Sequence, residues 1–297
     1  FKSTSSFIDN IPLVDNIYAR YETKYESLGI SEDNIVKQWY DSSGNNRHII
    51  EYRGNPIVKY FEKGTKGTKG TIGKNYFNVI KGDYNSGYKL PFRLNFDYTF
   101  CYIARYVGDK NNTTYNRRIF DSSAGTGQNT LWGFHNNHSG RSHNYKSGWH
   151  TTTNKQHSET DYWMIGIETQ NTARYNGQDC TNYYQYKGIN YPQKYSDYNV
   201  QLTINYGYYT GETKYSRETS NWEIAEMIFY NTELNLDEKI NVEQYLAKKC
   251  GHISFSNVVD NLEDYKTIIK SQNYINDLSD MWYYVYDGYK YGYSDIT

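Results

Sequence analysis

Five histidines fall between residues 135 and 157, at His135, His138, His143, His150 and His157. Trp132, Asn136, Tyr145 and Trp149 stand among them. Sugars present C–H faces that stack on aromatic rings, and hydroxyls that hydrogen-bond to amides and charged groups. Trp132, His135, Asn136, His138, Tyr145 and Trp149 offer that mixture. Tyr183, Tyr184 and Tyr186, in the 175–198 loop, extend it. The competing reading puts Trp132 and Trp149 in the core. The histidines suit a metal ion or a pH response. Asn, Ser and Gly separate them, however, and neither an H-E-x-x-H pattern nor a cysteine pair accompanies them. Exposed loop histidines that touch a sugar or a partner are the simpler expectation.

Other chemistry is sparse. Glycoside hydrolysis needs two carboxylates flanking the scissile bond, and the one E-x-D is Glu159-Thr160-Asp161. Ser-His-Asp order, a phosphate-binding loop and a dinucleotide fingerprint are all missing from the sequence. Lys and Arg number 32 and Asp and Glu 33, for a net charge of -1, so there is no basic surplus to suit nucleic acid. No apolar run reaches the length of a membrane span. Cys101, Cys180 and Cys250 are far apart and odd in number, which favours separate thiols over a disulfide framework. Asn111, Asn112 and Asn137 head N-x-S/T sequons. The first residue is Phe and no signal peptide is visible, so the chain is expected to be processed or part of a longer product.

The elements that must position these residues read as β. Mean hydropathy is -0.91, but 36 tyrosines carry a hidden apolar content. Tyr pairs an apolar ring with a polar tip and suits half-buried sheet faces. Tyr, Asn, Lys and Ile are frequent and Pro is scarce, as an AT-rich genome would give. That bias does not explain alternation. Tyr98, Phe100, Tyr102, Ala104 and Tyr106 share one face of a strand, and Thr99, Cys101, Ile103, Arg105 and Val107 share the other. Shorter strands are expected near 117–121, 130–135, 144–150, 162–169 and 200–207, the spacing of a sandwich or barrel. Asp41-Ser-Ser-Gly-Asn-Asn46 marks a tight corner between strands. Ile17 to Leu28 suggests one or two helical turns. The Gly-Thr-Lys triplets at 63–74 suggest a flexible cationic loop.

Residues 222–230 read as a buried strand, and 236–250 as a helix. Leu236, Ile240 and Tyr245 are expected to face inward with Leu246 beside them, and Gly251 to stop the helix. Asp237 and Glu238 near its start and Lys248 and Lys249 near its end suit the helix dipole. Beyond it, Val258 to Ile269 carry a helical stripe. Residues 282–293 read as a Tyr-rich hairpin through Asp287-Gly288.

Three stretches in this order resemble concanavalin A-like (laminin G-like) domains. They are Trp39-Tyr-Asp-Ser-Ser-Gly-Asn-Asn46, Tyr98–Val107 continued by Leu131–His135 and Gly148–His150, and Ile224-Ala-Glu-Met-Ile-Phe-Tyr230 with its helix. Together they cover about 36–252. The resemblance implies an all-β, two-sheet antiparallel jelly-roll sandwich, with an arm at 1–30, the sandwich at 31–252 and an extension at 253–297. Members bind glycans, hydrolyse them or adhere, so fold does not settle function. The hydrolytic branch carries E-x-D-x-x-E or E-x-D-x-E. Here the third carboxylate would fall at Trp163 or Met164, and the set is incomplete. A rim calcium ion is also implied, with Asp41 and Asn45 and more weakly Glu226 as ligands; an Asx-turn at Asp41 is the simpler reading. The resulting expectation is a non-catalytic binding or adhesion module for glycans on an extracellular or virion surface, of the kind that Tyr- and Asn-rich proteins of large DNA viruses carry. The alternatives are a capsid or fibre assembly protein that docks on its neighbours through 282–293, and a degenerate glycosidase.

Overall fold

The computed structural model describes residues 11–61, 77–108, 116–122, 129–146, 148–149, 151, 163–181, 199–205 and 218–250. In chain order the strands begin with β1 (Ile17–Glu22), β2 (Leu28–Ile30), β3 (Val36–Trp39), β4 (Glu51–Arg53), β5 (Ile57–Phe61) and β6 (Phe77–Gly82). β7 (Gly87–Lys89), β8 (Thr99–Tyr106), β9 (Phe120–Ser122), β10 (Leu131–Trp132), β11 (Phe134–His135) and β12 (His138–Ser139) follow. Then come β13 (His143–Asn144), β14 (Gly148–Trp149), β15 (Met164–Glu168), β16 (Ala173–Tyr175), β17 (Gln178–Asp179), β18 (Leu202–Ile204), β19 (Trp222–Tyr230) and the helix α1 (Leu236–Cys250).

They form an all-β, two-sheet antiparallel sandwich with one helix. The first sheet runs β17-β16-β15-β8-β19-β6-β5, and β1 joins the C-terminal half of β19. The second runs β14-β13-β10-β9-β18-β7-β4. The alternation expected along β8 is present. Phe100, Tyr102, Ala104 and Tyr106 enter the core between the sheets, while Cys101 and Ile103 enter a second cluster with Trp163, Ile165, Val242 and Leu246. That second cluster lies where α1 covers the first sheet, which is why every residue of β8 and β19 is buried. Phe100 and Phe229 stack at 4.5 Å in the main core, a geometry that adds to their area burial. Cys101 is a buried free thiol, and Cys180 is buried as well.

Two local expectations are corrected. Residues 17–22 form β1, not helical turns, because Ala19 and Tyr21 alternate into the core against β19; a single 3-10 turn follows at Tyr25–Ser27. The segment set apart as an arm thus contributes a strand. The helix spans the expected residues, but its buried face is rotated. Leu236 is 56% exposed, Ile240 and Tyr245 are half-buried, and Val242, Leu246 and Ala247 face the sheet. Asn235 and Glu238 form a reciprocal capping box, at 2.8 and 3.0 Å, that fixes the helix start. The 63–74 repeat, the 258–269 stripe and the 282–293 hairpin lie outside the described residues.

Candidate functional site

The histidine-rich region is built on two adjoining hairpins. β11 and β12 are joined by Asn136 and Asn137, both at positive φ (56° and 69°). Asn tolerates that conformation, and a two-residue turn with positive φ at both positions matches the twist of paired strands. The turn is held to the neighbouring chain by Asn136 N–H to Arg117 O (3.0 Å) and Asn137 N–H to Asn116 O (2.7 Å). Direct pairing of His135 with His138 brings both rings to one face of the hairpin.

β13 and β14 supply the second half. His143 pairs with Trp149 at the end of the second sheet. The register carries on from His143 to Leu131, Asp121, Thr203, Lys89 and Glu51. Residues paired in this way project to the same side, and this side is opposite Trp132, Phe120, Ile204 and Tyr88 in the core. The outer face of the second sheet is thus aromatic at one end and charged at the other. Leu131, Asp121 and Thr203 are buried in its middle, where the Thr203 hydroxyl donates to Asp121.

A buried polar network fixes the segment between the hairpins. Ser142 Oγ donates to Glu168 Oε2 (2.5 Å) and accepts from Gly133 N–H (2.8 Å). The Tyr102 hydroxyl donates to Glu168 Oε1 (2.6 Å). Gly133 and Gly166 admit the Tyr102 side chain, since a Cβ on either would lie within 2.2 Å of it. Buried hydroxyls tied to a buried carboxylate rigidify what they touch. Arg141 and His143, on either side of Ser142, therefore project from a fixed base.

The surface itself centres on the half-buried Trp149. His135 lies 5.2 Å from its ring and His143 5.0 Å, ring centre to ring centre. The Arg141 guanidinium sits over the indole at 4.2 Å, a favourable cation–π distance. The His143 Nδ1–H donates to Asn129 O (2.8 Å), which fixes its tautomer. Arg117 donates to Oδ1 of the exposed Asn136 (2.9 Å). Arg118 donates to Asn129 Oδ1 (2.7 Å) and pairs with Glu218. Burial, and then Arg118, Arg141, Arg117 and His143, pull the His135 pKa down to about 3. Burial and Arg141 lower His138 as well. At neutral pH both rings are uncharged in a cationic setting.

Of the aromatic and amide residues expected to meet a ligand, the structure gathers His135, Asn136, His138 and Trp149. Tyr145 is half-buried against the core, with the Lys146 ammonium 5.2 Å from its ring centre. Trp132 leaves the set. It is fully buried in the core, and its indole N–H points at the Tyr98 hydroxyl (3.2 Å). Tyr183, Tyr184, Tyr186, His150, His157, Glu159 and Asp161 lie outside the described residues. Arg117 and Arg141 belong to the surface although sequence reasoning passed over them. The Asn136-Asn137 pair between two histidines was the available signal, because it marks the turn that seats on Arg117.

The expected calcium ligands do not fit a cation. Asp41 Oδ1 accepts the N–H groups of Arg20 and Ser43 (both 2.9 Å), and its Oδ2 accepts that of Arg47 (3.0 Å). This is the Asx-turn reading, with the corner's Gly44 and Asn46 at positive φ. Asn45 turns its amide N–H groups to Ile17 O (2.9 Å) and Tyr18 O (3.2 Å). Glu226 lies beneath α1 and is paired with Arg20 (2.8 Å) and Lys249. Calcium needs six to eight oxygens, and here backbone donors and cations take them. Among the described residues no three His, Cys, Asp or Glu side chains converge as metal ligands.

No family model matches the chain, and no curated protein does. Similar solved structures include Trypanosoma rangeli sialidase in complex with sialic acid, at 10% identity and a TM-score of 0.44, covering 80% of this chain and 34% of that one. The botulinum neurotoxin serotype D binding domain aligns at 13% identity and a TM-score of 0.46, covering 79% of this chain and 52% of that one. The binding domain of botulinum neurotoxin DC in complex with SialylT aligns at 13% identity and a TM-score of 0.43, covering 79% and 52%. The chain thus spans about a third to a half of the solved chains it matches. No helix of the described residues is long and apolar enough to cross a membrane.

Proposed function

We propose that the chain is a non-catalytic glycan-binding module of the concanavalin A-like kind, acting at an extracellular or virion surface. The observation that carries this reading is the half-buried Trp149, ringed by His135, His143 and Arg141 at the β14 end of the second sheet. The face of an indole ring offers the C–H face of a sugar its stacking partner. Asn136, His138 and Arg117 border it with hydrogen-bonding groups suited to hydroxyls. The base beneath is rigid, so little ordering opposes binding. Among the similar solved structures, two are described as binding domains; the likeness is one of fold, and the residues around Trp149 bear the weight.

A glycan array probed with the folded chain and with Trp149→Ala tests the reading. Binding by the parent that is lost in a variant with an unchanged unfolding midpoint supports it. Binding that is equal in both, or absent in the parent, contradicts it. The assembly reading rests on 282–293, which lies outside the described residues.

A further inference from the structure

The charge around Trp149 is lopsided. The chain as a whole carries a net charge of -1, yet three arginines converge on two hairpins here. Arg118 is balanced by Glu218. Arg117 donates to the neutral Asn136 amide, and Arg141 lies over the neutral indole. Among the described residues neither guanidinium meets a carboxylate. Several guanidinium groups elsewhere in the fold do, Arg20 with Glu22 and Glu226, Arg105 with Glu223, and Arg174 with Glu243, whereas Arg47 rests over the Tyr18 ring much as Arg141 rests over Trp149.

Two polar atoms at the same place point the same way. His135 Nδ1 and Arg141 Nε are buried without a hydrogen-bond partner. Buried polar groups are nearly always satisfied, and exceptions mark strain, function or an absent partner. Burial first, and then Arg118, Arg141 and Arg117, lower the His135 pKa, in keeping with the cations gathered beside it. No carboxylate is among the causes that act on His135 or His138.

We propose that this surface selects acidic glycans, with a carboxylate or sulfate seated between Arg117 and Arg141 while the sugar ring lies along Trp149 and His138. The inference rests on the glycan-binding reading and adds the charge of the ligand. A guanidinium is planar, and the N–H groups of Arg141 that remain outward over the indole match the two oxygens of an acid group. Arg117, tied to Asn136 at the hairpin turn, supplies a second cation near the same His135. Neutral sugars leave both cations without a counter-charge.

The test uses immobilised lactose and its sialylated and sulfated forms, with the full chain and the variants Arg117→Gln, Arg141→Gln and Arg141→Lys. We expect the acidic forms to bind roughly 10-fold or more tightly than lactose at physiological salt, and to weaken as salt rises. Each Gln substitution should reduce that preference, read as the ratio of acidic-form to lactose affinity, about 10-fold, and Arg141→Lys should restore part of it. Arg117 is the safer position for folding, since its side-chain bond is to an exposed residue. Equal binding of lactose and its acidic forms overturns the charge selection and leaves the glycan reading standing. Binding of no member by a folded chain overturns both.

Discussion

Two charged regions of this sandwich are built in opposite ways. Beneath α1, Arg20, Glu22, Glu226, Lys249 and the Tyr245 hydroxyl form a closed network in which each charge has a partner of opposite sign. Its effect on titration is as expected. Burial opposes ionisation of Glu22, but Lys249, Arg20 and Lys24 outweigh it and hold its carboxyl below the ordinary range. Around Trp149 the arginines outnumber their partners, and His135 and His138 are pushed toward the neutral form. A closed network fastens a helix to a sheet. An open set of cations on a rigid base is suited to a charge supplied from outside.

Mutation should separate the two regions, and the two tryptophans differ most. Trp132→Ala should destabilise the fold by about 4 kcal/mol, read by urea unfolding, since it empties part of a close-packed core. A loss under about 1 kcal/mol would mean that Trp132 is not the core residue described. Glu226→Ala comes next, at about 3 kcal/mol, because it leaves Arg20 and Lys249 to share Glu22 alone in a mostly buried place. Glycan binding should survive it in the folded fraction; loss of binding there would blur the separation of the regions. Asp41→Ala should cost about 2 kcal/mol by releasing three backbone donors. Calcium should leave the parent's unfolding midpoint unmoved. A calcium-dependent rise abolished by Asp41→Asn would restore the metal reading.

Acid should reach the Trp149 region through His135. Its folded pKa of about 3 lies below the ordinary 6.5. Between those values the unfolded chain binds a proton that the folded chain does not, so this group's contribution is lost as pH falls through that window. The slope is at most about 1.4 kcal/mol per pH unit. His135→Gln should flatten the stability profile between pH 6.5 and 4, and an unchanged slope would show that His135 is not held neutral. The smallest effect on stability belongs to Trp149→Ala, under about 1 kcal/mol, although its effect on binding is the largest.

The sheet that forms the scaffold was legible from sequence because it is buried on both faces and still alternates aromatic and small residues. Tyr98 to Tyr106 gave the correct inner face, and the strand-then-helix order at 222–250 was right. The helix face was misjudged because apolar spacing at Leu236, Ile240 and Tyr245 ignored the charged side chains that also dock. Glu243 is buried against Arg174 (3.3 Å), and Lys239 reaches Thr172 (3.0 Å). Burial raises the Glu243 pKa even with Arg174 beside it. Such pairings join residues 67 to 69 positions apart and leave no local pattern. The site was legible in composition but not in arrangement. Trp132 and Trp149 are alike in one sequence window, yet two short hairpins turn the first inward and the second outward. Arg117 and Arg141 entered only through the tertiary contacts of those hairpins.

Five of the six tryptophans are described, and Trp149 is the one that is not fully buried, against Trp39, Trp132, Trp163 and Trp222. Their indole N–H resonances therefore discriminate directly during titration with an array-positive glycan. We expect the Trp149 signal to shift and saturate with binding while those of the four buried indoles stay in place. A saturable shift confined to a buried indole, or binding with no change at Trp149, would contradict a ligand surface centred on that residue.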